Sequence, residues 1–228
     1  MNPQTLSDAI ELAVASDHQG VAIAAPFPFL APLHQVLKHA ALAAQDVFWE
    51  KKGPFTGEVG VSQLASVGVK YVIVGHSERR ALGETDEHIG RKVAAVVAAG
   101  LTPILCVGEN AKERDGGIGE AVVIRQLHAG LRHLKHPLAA PLFIAYEPVW
   151  AISTTPGAKV DSPKNAQRVA HGIKRTVERM GYTVKVLYGG SVDAKNAAGF
   201  LNEPDISGAL VGGASIKRDG ITDIIESI

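Results

Sequence analysis

Two short runs carry side chains able to move protons. In Phe143-Ile144-Ala145-Tyr146-Glu147-Pro148-Val149-Trp150 an apolar strand runs into a carboxylate and then a proline. Pro148 cannot donate a ladder hydrogen bond, so the strand must stop near Glu147. The acid then sits at a strand's C-terminal end, where parallel barrels keep their chemistry. In Tyr71-Val72-Ile73-Val74-Gly75-His76-Ser77-Glu78-Arg79-Arg80 a β-branched strand leads through a glycine into a polar cluster. Ser77 can cap a following helix. His76 would then lie near a helix N-terminus, whose positive end favours a neutral imidazole that donates to a carbonyl oxygen. Alone, a strand-edge acid is as often structural as functional, and a single histidine is more often structural. Both at strand ends point to acid–base chemistry.

Two further runs suit an anion. Tyr188-Gly189-Gly190-Ser191-Val192 and Leu210-Val211-Gly212-Gly213-Ala214-Ser215 each follow an apolar strand. Glycines there let backbone N–H groups approach a phosphate closely, and a following helix N-terminus adds a favourable dipole. A lone Gly-Gly pair would be read as a turn. Two pairs after the last two strands match the usual phosphate position of a barrel.

The elements that must hold these groups alternate. Runs that read as buried parallel strands are Val21–Ala25, Leu42–Val47, Val69–Gly75, Thr102–Val107, Leu142–Tyr146, Val184–Tyr188 and Ile206–Val211. Helical patterns lie between them at His34–Ala40, Glu87–Ala99, Gly119–Leu134, Pro163–Met180 and Ile221–Ile228, with Gly100 and Gly181 as stops. An earlier helix is marked by Asn2-Pro3 and by Leu6, Ile10, Ala13 and Val14 at helical spacing. Strand–helix alternation predicts an α/β fold with a parallel sheet, and the 228 residues read as a single domain, 1–228. Net charge is zero, which gives no sign of a nucleic acid or membrane-surface partner. One cysteine excludes an intrachain disulfide, and Cys106 reads as a small buried residue. There is no apolar run of membrane-spanning length and no signal-peptide pattern, so a cytoplasmic location is expected. The histidines lack metal-ligand spacing, and no cofactor is expected.

These motifs, with Cys106-Val107-Gly108-Glu109 and the extension Ala151-Ile152 after Trp150, resemble the triosephosphate isomerase family in order and along the whole chain. The resemblance implies a TIM (β/α)8-type barrel, here incomplete, with seven recognisable strands and the first strand absent. In the family that strand ends in an asparagine followed by a lysine. Either the chain as written starts at an internal methionine or the protein lacks this element; the second is the reading taken. Losing one preorganised donor of this kind costs about 2.7–4 kcal/mol of transition-state stabilisation.

The resemblance assigns Glu147 as the base, His76 as the neutral electrophile and Glu78 as the family lysine's partner. It assigns Ser153, Gly190, Ser191, Gly212 and Gly213 to the substrate phosphate. A lid follows Ile152. It reads Ser153-Thr154-Thr155-Pro156-Gly157-Ala158-Lys159-Val160-Asp161-Ser162-Pro163, longer than the family's, so weaker closure is expected. The 45–60 segment resembles the family's dimer loop, with Thr56, Gly57 and Glu58 at its tip. Phe48, Trp49 and Phe55 are too apolar for a purely solvated loop, so a homodimer or larger homo-oligomer is expected. Two functions follow. One is an isomerase that interconverts dihydroxyacetone phosphate and glyceraldehyde 3-phosphate through an enediolate, impaired in the chain as given. The other is a catalytically inactive phosphate-binding or assembly homologue.

Overall fold

A computed structural model describes residues 3–135, 138, 140–155 and 157–228. Its seven strands are β1 (Ala22–Ala25), β2 (Ala41–Ala44), β3 (Tyr71–Val74), β4 (Thr102–Val107), β5 (Leu142–Tyr146), β6 (Val184–Tyr188) and β7 (Gly208–Ala209). They pair in chain order, each parallel to the next. The sheet curls into a half-barrel whose two ends are β1 and β7. Among the described residues ten α-helices cover it: α1 (Leu6–Ala15), α2 (Leu30–Val36), α3 (Val61–Ser66), α4 (Ser77–Ala81), α5 (Asp86–Ala98), α6 (Ala111–Asp115), α7 (Gly119–Leu131), α8 (Pro163–Arg179), α9 (Ala197–Leu201) and α10 (Gly220–Glu226).

Strand alternation splits the apolar residues into two faces. Ile73, Ile104, Cys106 and Ala145 form the inner cluster, and Cys106 is fully buried there. Val72, Val74, Leu105, Ile144 and Val186 point the other way, into the core shared with the helices. Counting by twos from Phe143 and Ala145 carries Glu147 to the inner face. The period of the strand therefore aims the acid into the barrel.

Several boundaries differ from the sequence reading. Asn2 lies outside the described residues; α1 begins at Leu6, and the Thr5 side chain accepts from Asp8 N–H as its cap. The helix expected at His34–Ala40 ends at Val36. The Asp17 carboxylate takes the N–H groups of Lys38, His39 and Ala40 at 2.9, 2.9 and 2.6 Å, which withdraws those donors from the helix. β2 stops at Ala44 rather than Val47, and β7 keeps only Gly208–Ala209, registered on Leu187 and Tyr188 of β6. α5 and α8 are capped by Thr85 and Ser162, and the glycines that follow, Gly100 and Gly181, adopt φ of +74° and +84°.

At the two ends of the sheet the helix layer still meets. His18 Nε2 lies 3.0 Å from Thr222 Oγ1, and that hydroxyl donates to the Ala15 carbonyl at 3.1 Å. The end of α1 is thereby clasped to α10.

Candidate active site

Glu147 leaves β5 at 2% exposure. Its backbone N–H donates to the Val107 carbonyl at 2.8 Å, and Gly189 N–H donates to the preceding Tyr146 carbonyl at 2.7 Å. Both flanking positions are glycines for a steric reason. A Cβ on Gly108 would collide with the Glu147 carbonyl, and one on Gly189 would come within 2.9 Å of Glu147 Cγ. The acid is therefore wedged between the ends of β4 and β6.

His76 meets it from β3. His76 Nε2 lies 2.9 Å from Glu147 Oε1, and Ser77 N–H donates to Glu147 Oε2 at 3.0 Å. The His76 Nδ1 accepts from Glu78 N–H at 3.3 Å, so His76 itself caps α4. This corrects the expectation that Ser77 is the cap: its N–H is given to the acid instead. With Nδ1 accepting, the ring proton sits on Nε2, facing Glu147. Burial pulls the imidazole pKa down, but the hydrogen bond and charge of Glu147, with the charge of Glu78, outweigh it and leave the pKa above its ordinary value. The helix terminus was expected to lower it. Next to a carboxylate it does not.

Glu78 is exposed, with Oε2 4.0 Å from His76 Nδ1. Behind α4, Arg79 reaches Asp46 at 3.0 Å; Lys92 bonds both Asp46, at 2.6 Å, and Glu84. Arg80 ties the ends of two strands together, donating to the Gly75 carbonyl at 2.8 Å and the Cys106 carbonyl at 3.2 Å.

The residues expected at the phosphate gather on one side. Gly190 is buried, Ser191 Oγ donates to the Ala151 carbonyl at 2.8 Å, and Gly212 and Gly213 open a short 3-10 turn. Ser153 is exposed, and a Cβ on Gly213 would lie 3.3 Å from its Oγ. Thr56, Gly57 and Glu58 stand apart, in the exposed stretch 51–58. Pro156, expected to weaken lid closure, lies outside the described residues.

Sequence reasoning gave no role to Glu109, Trp150 or Asp161. Glu109 is 4% exposed and accepts from Trp150 Nε1 at 2.7 Å and Tyr146 Oη at 3.1 Å, while Arg114 stacks 3.7 Å from the Trp150 ring. The signal was present. Val107-Gly108-Glu109 repeats the strand-then-acid pattern that marked Glu147. Among the described residues no helix is long and apolar enough to cross a membrane, and no His, Cys, Asp and Glu cluster is arranged to hold a metal ion.

A curled parallel sheet with an acid and an imidazole meeting at its strand C-termini defines the class of (β/α)-barrel enzymes. The family model for triosephosphate isomerase matches residues 2–228. The triosephosphate isomerase of Carboxydothermus hydrogenoformans is 46% identical over 214 residues, which covers 90% of this chain and 84% of the relative. That of Paracidovorax citrulli is 44% identical over 229 residues, covering 97% and 89%. That of Thiobacillus denitrificans is 48% identical over 210 residues, covering 88% and 84%. The chain belongs to the triosephosphate isomerase family.

Proposed function

We propose that this chain, acting as one domain over residues 1–228, interconverts dihydroxyacetone phosphate and glyceraldehyde 3-phosphate. The observation that carries the reading is the meeting of a buried carboxylate and an imidazole at 2.9 Å, each at a strand's C-terminal end. Glu147 removes a proton from the carbon beside the carbonyl and returns it to the neighbouring carbon. His76 gives its Nε2 proton to the carbonyl oxygen and takes the proton of the neighbouring hydroxyl in exchange, so the charge on each enediolate oxygen is met as it forms and the imidazole ends neutral. Once Glu147 turns to substrate, its raising effect on His76 weakens, and burial favours the neutral imidazole this step needs. Backbone N–H groups at Gly190, Ser191, Gly212 and Gly213, with Ser153, hold the phosphate. Glu78 acts electrostatically on His76 from the solvent side. The names of the relatives support the substrate pair. The reading goes with a cytoplasmic, homo-oligomeric enzyme.

One feature favours the second reading, an inactive phosphate-binding homologue. Glu147 and His76 satisfy each other, and substrate must separate them at a cost of about 1.5–3 kcal/mol for a charge-assisted hydrogen bond. We therefore expect a slow enzyme. Isomerisation by the purified chain, beside Glu147→Ala made in the same isomerase-deficient host, separates the two. A rate that falls about a thousandfold in the control supports the isomerase, since a positioned base contributes about 10²–10⁴-fold. Equal negligible rates support the binding homologue.

A further inference from the structure

The acid Asp161 is 7% exposed at the junction of the exposed 157–160 stretch and α8. Its two carboxylate oxygens serve different elements. Oδ1 accepts from Ser162 N–H and Asn165 Nδ2, both at 2.8 Å, and so belongs to the first turn of α8. Oδ2 accepts from the Tyr188 hydroxyl at 3.3 Å, at the end of β6. Burial pushes the Asp161 pKa up, against the opposing hydrogen bonds from Ser162, Asn165 and Tyr188.

Tyr188 connects this acid to the glycine turn. Its ring is 2% exposed and stacks on Phe200, with centroids 4.2 Å apart and planes within 10°. Its hydroxyl lies directly against Gly190, where a Cβ would collide with it. The Gly190 backbone therefore rests on a hydroxyl whose acceptor is Asp161. On the far side of the turn, Ser191 Oγ is tied to the Ala151 carbonyl. The turn that offers its N–H groups to an anion is held at both ends, and one hold is a carboxylate it does not touch.

We infer that Asp161 is a positioning residue: through the Tyr188 hydroxyl it sets the place of the Gly189–Ser191 turn, and with it the affinity for the phosphate group. The inference rests on the assignment of that turn to phosphate under the isomerase reading, and it adds a residue that assignment does not contain. A buried tyrosine freed from its acceptor must find another partner or shift, and either movement removes the support under Gly190. Asp161→Asn keeps an amide facing the hydroxyl, but its one oxygen cannot accept from both the α8 donors and Tyr188, so it restores only part of the support.

The test measures inorganic phosphate binding by calorimetry, and KM and kcat for glyceraldehyde 3-phosphate, in the parent and four variants. These are Asp161→Ala, Tyr188→Phe, the double variant and Asp161→Asn. Tyr188→Phe removes only the hydroxyl and keeps the stack on Phe200, so it carries the test if Asp161→Ala fails to fold. The expected result is a rise of about tenfold in phosphate Kd and in KM for either single variant, with kcat changed less. The double variant should be no worse than either single, because the two residues act in series. Asp161→Asn should fall between the parent and Asp161→Ala. Unchanged phosphate affinity in folded Tyr188→Phe, effects that multiply in the double variant, or a parent that binds no phosphate would each overturn the inference. A parent that binds phosphate but does not isomerise removes the proposed reaction alone; the Kd comparison still decides the role of Asp161.

Discussion

At the scale of single residues, the decisive contact is between His76 and Glu147. The folded pKa of His76 is raised, so the proton it holds stabilises the fold. That contribution is fully present below the unfolded value of about 6.5 and fades as pH rises through the folded value. The stability difference between the parent and His76→Asn, from urea unfolding, should accordingly be larger at pH 6 than at pH 9. Equal differences at the two pH values would mean that no charged pair forms. Both residues were legible in the sequence, because a proline after one strand and a glycine after another fixed where the chain turns. Their mutual contact was not, since it joins the ends of β3 and β5, which are not neighbours in the sheet. The cap at α4 was misread for a related reason. Ser77 has the better capping side chain, but its N–H is claimed by Glu147, and His76 is left to cap.

At the scale of elements, the site depends on charged groups that no period in the sequence reveals. Lys92 projects from α5 with 5% side-chain exposure and joins Glu84 to Asp46, which in turn holds Arg79 of α4. Removing one member of such a buried network strands the others. Lys92→Met should cost about 3–5 kcal/mol and lower the melting temperature by about 10 °C, read by circular dichroism. Adding Glu84→Leu to it should recover much of that loss; an unchanged melting temperature in the single variant would show that the network contributes nothing. The long strands and helices were legible because β-branched runs and a 3.6-residue stripe repeat often enough to be seen. α3, α4, α6 and α9 span five or six residues and give too little of a period. α2 ended early because Asp17, on a distant loop, competes for its donors.

At the scale of the whole molecule, the question is what meets the aromatic face beside the 51–58 stretch. Phe48 packs at a tilt against Trp49 and Phe55, with ring centroids 4.3 and 4.8 Å away, and Trp49 stacks on His88 at 5.1 Å. Phe55 stays 39% exposed. Apolar side chains held in place yet open to solvent suit burial by a second copy. Sedimentation should find a dimer or larger species for the parent, and Phe55→Ser should shift it toward monomer. A parent that sediments as a monomer at high concentration would end that reading.

The clasp between α1 and α10 has a consequence for how the chain is made. His18 and Thr222 are 204 positions apart, so α1 leaves the ribosome long before α10. At about 5–20 residues per second, that wait is on the order of 10–40 s. Throughout it, the residues that α1 buries in the finished fold, Ala9 and Ala13, stand open to any chaperone in reach. The clasp can close only once α10 has been translated, and a nascent chain that stalls before residue 222 is a chain that holdases should still recognise.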